Sequence, residues 1–209
     1  MKTMKPSTCS AANAGKMDKS KLPYLRCLRL GTGEYITRNF PSPQIFQTVF
    51  IDFMANLPTT TGGNSCALII MDQLSRFVIA EPLKTTDPVD ITLKIRNELI
   101  YRWPQPRYFV SDVGPHFTCS AFVEFCYEFS IVQILTTRRD HITGIVREGD
   151  ESFKTTKKML KKLVTTDEKR WDERLGTACF HYNTEVNDST GYTPFYLVRG
   201  YEARKVSRQ

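Results

Sequence analysis

Residues 46–83 read "FQTVFIDFMANLPTTTGGNSCALIIMDQLSRFVIAEPL". Three short runs rich in Val, Ile and Phe ("FQTVFIDFMANL", "SCALIIMDQL" and "RFVIAEPL") follow one another, and "TTTGGN" between the first two is a turn. Runs of this length, bounded by turn residues and enriched in β-branched and aromatic side chains, predict three consecutive strands.

Downstream the text changes period. "DPVDITLKIRNELIYRW" opens with Asp87 as a cap and Pro88 at the first helical position, then spaces Ile91, Ile95, Leu99 and Trp103 four apart along one face. "RYFVSDVG" predicts a buried strand ending in a glycine turn, "SAFVEFCYEF" a helix with a wide apolar face, and "IVQILTT" a fifth strand. After a polar loop from Arg138 to Gly144, "DESFKTTKKMLKKLVTT" places Phe153, Leu160, Leu163 and Val164 on one side of a helix. Lys154, Lys157, Lys158, Lys161 and Lys162 fall largely on the other. Helical text continues through "WDERLGTACFHYN" and closes with "TPFYLVRG". Strands first in a row and then alternating with helices imply an α/β fold, a mixed five-stranded sheet flanked by helices. The core is expected over residues 45–204, with 1–44 a basic leader or remnant of an upstream domain and 205–209 a tail.

A chain of 209 residues with 41% apolar content suits one globular domain with a sizeable core. No apolar run approaches the roughly 18 residues of a membrane helix, and the N-terminal text lacks the apolar segment of a secretory signal, so no membrane role is expected. The six cysteines contain no C-x-x-C pair and several lie in apolar runs, which predicts reduced thiols and an intracellular address. The net charge of +7 is uneven: residues 1–30 hold seven Lys/Arg against Asp18 alone, leaving about +1 for the rest.

Within the predicted sheet, Asp52 sits in the first strand and Asp112 at the end of the fourth. A carboxylate in apolar surroundings is costly unless it is paired, protonated or bound to a cation. If strands one and four are neighbours, the two side chains meet, and a divalent cation relieves their repulsion. Mg²⁺ takes one or two protein carboxylates and completes its shell with water and phosphate oxygens, the arrangement used for in-line attack at phosphorus. Glu148 is the candidate third acid by position. The same residues also suit strand-end acids that cap loops or pair with Arg. Asp72, in "IIMDQLSR", is read as structural, bonded to Ser75 or Arg76.

From about Gln47 to Arg204 the chain resembles the catalytic core of retroviral and retrotransposon integrases, most closely the Ty3/gypsy type. Asp52 with "FMANLP" is similar to that family's opening "D-F-x-x-x-L-P". "SDVGPHFT" is similar to its "S-D-x-G-x-x-F-T", which sets Asp112, Gly114 and Phe117 on matching positions. Trp171, then Tyr182 and Asn183, then "STGYTPFYLVRG" resemble its C-terminal text. The resemblance implies a ribonuclease H-like fold and metal-dependent processing of DNA ends with transfer into target DNA. It also implies Mg²⁺ (or Mn²⁺) held by Asp52, Asp112 and Glu148, a homodimer or higher oligomer, and a nuclear location.

The third acid has two readings. Thirty-five residues separate Asp112 from Glu148, which is the family's spacing. The family's local text "G-x-V-E-x-x-N-x-x-L-K", laid on "GIVREGDESFK", instead puts Arg147 on the Glu, Phe153 on the Leu and Lys154 on the Lys. One residue is about 100° of helix rotation, so only one of the pair faces the aspartates. Lys154, Lys157, Lys158 and Lys161 are candidate DNA contacts, since phosphate binding needs clustered cations; a solvated helix face is the plainer use of such a run. The family's zinc-binding N-terminal domain is not expected, because only Cys9 and Cys27 precede the core and all three His lie within it. His116 is read as solvated, and Trp103, Trp171 and Tyr182 as core. Two functions stand: an integrase core that binds DNA and transfers strands, or a decayed or domesticated core retained as a nucleic-acid-binding or protein-interaction module.

Overall fold

The computed structural model describes residues 28–29, 44–55, 57–136, 153–162 and 169–204. Its strands are β1 (Leu28–Arg29), β2 (Thr48–Met54), β3 (Cys66–Asp72), β4 (Val78–Leu83), β5 (Tyr108–Asp112) and β6 (Val132–Thr136). Its helices are α1 (Pro88–Ile95), α2 (Pro115–Thr118), α3 (Ser120–Glu128), α4 (153–162), α5 (Trp171–Thr184) and α6 (Pro194–Arg199). The sheet order is β1-β6-β5-β2-β3-β4. β2, β3 and β4 form an antiparallel meander, whereas β5 and β6 add in parallel on the other side of β2. The five longer strands are those expected from sequence, in a mixed sheet with helices on both faces. The two-residue β1 extends it, pairing in parallel with Ile134 and Leu135.

Each face of the sheet carries its own apolar layer, because successive side chains along a strand point to opposite sides. Phe50, Met54, Ile69, Met71, Val110 and Ile134 pack against Phe153 and Leu160 of α4 and Trp171, Leu175 and Ala178 of α5. Val49, Ile51, Leu68, Ile70 and Phe109 pack against Ile91 and Ile95 of α1 and Phe122 and Phe125 of α3. All seven residues of β3 are buried, which is why "CALIIMD" reads as an unbroken apolar run and not as an alternation.

Local chemistry sets the helix starts. Asp87 caps α1 by accepting the Val89 N–H at 2.8 Å, with Pro88 in the first turn. A stripe spaced four apart drifts about 40° per step on a regular α-helix. The π-helical turn Arg96–Ile100 that continues α1 takes up this drift, so Ile91, Ile95 and Leu99 are all fully buried. Thr193 caps α6 by accepting the Tyr196 N–H, and Gly200 ends it in the left-handed conformation (φ 78°), where a side chain would be strained.

Three polar anchors hold these layers in place. The fully buried Asp72 accepts the Phe46 N–H (2.7 Å), the Ser75 N–H (2.8 Å) and the Ser75 hydroxyl (2.6 Å), the structural role expected of it. Burial raises its pKa, and the bonds from Ser75 and Phe46 act against that rise. At the start of α5, Asp172 accepts from Thr60 (2.8 Å) and Asn64 (2.7 Å), while the Trp171 indole N–H donates to the Pro58 carbonyl. These contacts clamp the β2–β3 loop to α5. The Asn183 side chain treats β4 as a neighbouring strand would: its Oδ1 accepts the Val78 N–H and its Nδ2 donates to the Val78 carbonyl, both at 2.8 Å.

Candidate functional site

The parallel pairing of β2 and β5 runs Thr48↔Tyr108, Val49↔Phe109 and Phe50↔Val110. Continued two residues past Phe50↔Val110 on each strand, that register would set Asp52 level with Asp112. Paired strands lie about 4.8 Å apart, and both aspartates alternate onto the face that carries Phe50 and Val110. Strands one and four of the expected order are thus neighbours, and the two acids share one end of one face.

Asp112 ends β5 and is exposed. Its Oδ1 accepts the Gly114 N–H at 3.0 Å. A Cβ at residue 114 would lie 2.8 Å from that oxygen, so glycine is what lets the carboxylate fold back over the turn. Pro115 then starts α2, which seats Phe117 in the opposite core, its ring stacked on Phe53 with centroids 5.1 Å apart. His116 lies edge-on to the same ring at 5.4 Å and is half-buried, a correction to its expected solvation: the ring next to Asp52 draws it inward.

Asp52 is half-buried, with Oδ1 accepting the Phe53 N–H at 2.6 Å and Oδ2 ion-paired with the Lys157 ammonium. α4 delivers that lysine. Phe153 packs on Phe50 at 5.9 Å, and Phe153, Thr156 and Leu160 are buried, which fixes the rotation of the helix. Lys157 lies about 40° from Phe153 around the axis, at the border of the buried stripe, and so reaches the sheet. The Thr156 hydroxyl lies 3.1 Å from the Tyr182 hydroxyl, tying α4 to α5. Burial raises the Tyr182 pKa, so the phenol stays neutral and can serve this contact.

Of the lysines singled out from sequence, Lys154, Lys158 and Lys161 are exposed along one stripe of α4, and Lys157 is half-buried and paired with Asp52. Glu148 and Arg147 lie outside the described residues, as do Leu163, Val164, Cys9 and Cys27. The donor set is two carboxylates on one face, open to solvent at the Asp112 end, and it suits a hard cation with an oxygen shell. Among the described residues no third His, Cys, Asp or Glu joins them. Cys66, Cys119, Cys126 and Cys179 are in no disulfide, and burial pushes Cys179 up to about 12. A thiol so held is a core residue and not a soft-metal ligand.

Sequence reasoning did not identify Lys157 as the partner of Asp52. Its signal was present in the chain: Lys157 follows Phe153 by four residues, so it shares that residue's side of the helix. No helix among the described residues is long and apolar enough to cross a membrane.

Residues 43–141 match the integrase core domain family. Over 156 residues the chain is 25% identical to the retrovirus-related Pol polyprotein from transposon 412 of Drosophila melanogaster, a match covering 74% of this chain and 12% of that protein. Over 148 residues it is 23% identical to the human gypsy retrotransposon integrase-like protein 1, covering 71% of this chain and 28% of the relative. The chain therefore spans only a minor part of the relatives it matches. Among solved structures, the catalytic core domain of BIV integrase superposes with a TM-score of 0.55 at 19% identity, over 73% of this chain and 93% of that one.

Proposed function

We propose that this chain, whose residues 43–141 match the integrase core domain family and whose fold is that of an integrase catalytic core, binds DNA and carries out metal-dependent processing of DNA ends and their transfer into target DNA. The observation that carries this reading is the parallel pairing of β2 and β5, whose register, continued past Phe50↔Val110, would set Asp52 beside Asp112 on the face crossed by the lysine-bearing helix α4. In the proposal Asp52 and Asp112, joined by Glu148, hold Mg²⁺ or Mn²⁺. When bound, such ions supply activation of the attacking oxygen and stabilisation of the leaving one.

The protein's own residues do the rest. Gly114 holds the Asp112 carboxylate over the turn, and Phe153 and Leu160 set the rotation of α4. Lys154, Lys158 and Lys161 receive the phosphate backbone from the exposed side of that helix. Phosphate contacts of this kind position DNA without reading its sequence. The site of action is the nucleus, on DNA, with the chain as a homodimer or higher oligomer.

A second reading, a non-catalytic DNA-binding module, is favoured by one observation: Asp52 already has a cation, the Lys157 ammonium. A strand-transfer assay on a DNA-end substrate separates the two readings. Metal-dependent joining that is lost in Asp52→Asn, Asp112→Asn and Glu148→Gln supports the catalytic reading. DNA binding without joining under any divalent metal supports the module. Activity gained on Arg147→Glu would move the third ligand to that position.

A further inference from the structure

We propose that Lys157 is an exchangeable cation, neutralising Asp52 in the resting protein and passing to a DNA phosphate when a divalent ion takes the carboxylates. The inference rests on the metal-site reading above and adds to it a coupling between metal and DNA.

Three observations carry it. The ammonium of Lys157 is paired with Oδ2 of Asp52, while Oδ1 of the same carboxylate is held by the Phe53 N–H. The outward oxygen is therefore the one a metal and the lysine compete for. Second, Lys157 cannot leave by rotation of its helix, because Phe153, Thr156 and Leu160 are buried against the sheet and α5. It can leave only by swinging its own flexible side chain, which is 23% exposed. Third, the surface it would swing toward carries Lys154, Lys158 and Lys161, the stripe to which DNA phosphates are assigned. A divalent ion beside Asp52 repels the ammonium, and a phosphate on the stripe attracts it, so the two events favour each other. Linkage then requires reciprocity: DNA must raise metal affinity by the same factor by which metal raises DNA affinity.

The test is Mn²⁺ binding by calorimetry, with no catalytic readout, on wild type, Lys157→Met, Lys157→Arg and Asp52→Asn, each checked for a cooperative melt. A second measurement is the salt dependence of binding to a short duplex with and without Mg²⁺. Removing the competing charge in Lys157→Met should tighten Mn²⁺ binding by about tenfold or more, with Lys157→Arg close to wild type. In wild type, Mg²⁺ should steepen the log–log salt slope by about 0.9, one added phosphate contact, and the Lys157→Met protein should show no such change. Wild type that binds Mn²⁺ through Asp52 with an affinity unaltered in Lys157→Met would overturn the exchange and leave the metal site standing. Absence of Mn²⁺ binding in wild type and Lys157→Met alike would overturn both.

Discussion

Asn183 supports the edge of the sheet from 105 residues away, and removing its amide should be costly. β4 is the last strand, so Val78 turns its N–H and carbonyl away from β3 with no strand to meet them. Val78 is 1% exposed, so water cannot replace the two bonds that Asn183 makes. Each bond contributes about 1 kcal/mol, and each buried group left without a partner costs about 1–3 kcal/mol, so Asn183→Ala should lose roughly 2–4 kcal/mol. For a domain of this size that lowers the melting temperature by about 5–15 °C, measured by scanning calorimetry. Asn183→Asp is the sharper variant because it keeps the acceptor for the Val78 N–H but sets a second acceptor against the Val78 carbonyl. Ionisation there is disfavoured, so the Asp carboxyl pKa is raised by folding; its stabilising contribution is present at low pH and lost as pH rises through the folded value. Asn183→Asp should therefore regain stability relative to Asn183→Ala on acidification toward about pH 4. A drop below about 2 °C in Asn183→Ala, or an Asp variant matching wild type at pH 7, would refute this account of the strand edge.

Asp172 should make stability pH-dependent in the opposite sense. Burial raises its pKa, but hydrogen bonds from Asn64, Thr60 and the Glu173 N–H together outweigh that and hold it below the usual carboxylate range. Its contribution is thus present above the unfolded value near pH 4 and lost as pH falls through the folded one, and urea titrations should show the gap between wild type and Asp172→Asn closing over that window. Gly114→Ala meets no backbone strain at φ −70°, but its Cβ displaces the Asp112 carboxylate; thermal melts should move by no more than about a degree or two while Mn²⁺ affinity, measured by calorimetry, falls. Replacing Lys154, Lys158 and Lys161 together by Ala should weaken duplex binding without sequence preference and reduce the salt slope by about 2 to 3, read by fluorescence anisotropy.

The five longer strands were legible because each is a short apolar run, and the order of β2 and β5 followed from the alternation of elements; the two-residue β1, within the segment read as a leader, was not. α1 was legible down to its cap because Asp87 and Pro88 act within one turn of the chain. The two aspartates stood out for a related reason, as acids in apolar text. What the sequence hid are the contacts made at long range. The Asp172 clamp on Thr60 and Asn64, and the Asn183 amide on Val78, join residues more than a hundred positions apart, and nothing local distinguishes those side chains from solvated ones. Lys157 was concealed differently. It sits among five lysines of one helix, and only the rotation fixed by Phe153 and Leu160 sets it apart by turning it toward Asp52. His116, in α2, failed to read as packed because its partner, Phe53, comes from β2, far away in the sequence.

The central claim is that Asp52 and Asp112 form one divalent-cation site, and a crystal of this protein soaked in Mn²⁺ tests it most directly through the anomalous signal of the metal. The account predicts a peak about 2.2 Å from a carboxylate oxygen of both residues, with the Lys157 ammonium withdrawn from Asp52. An anomalous map without a peak between the two aspartates at saturating Mn²⁺, with Lys157 still paired to Asp52, would contradict it.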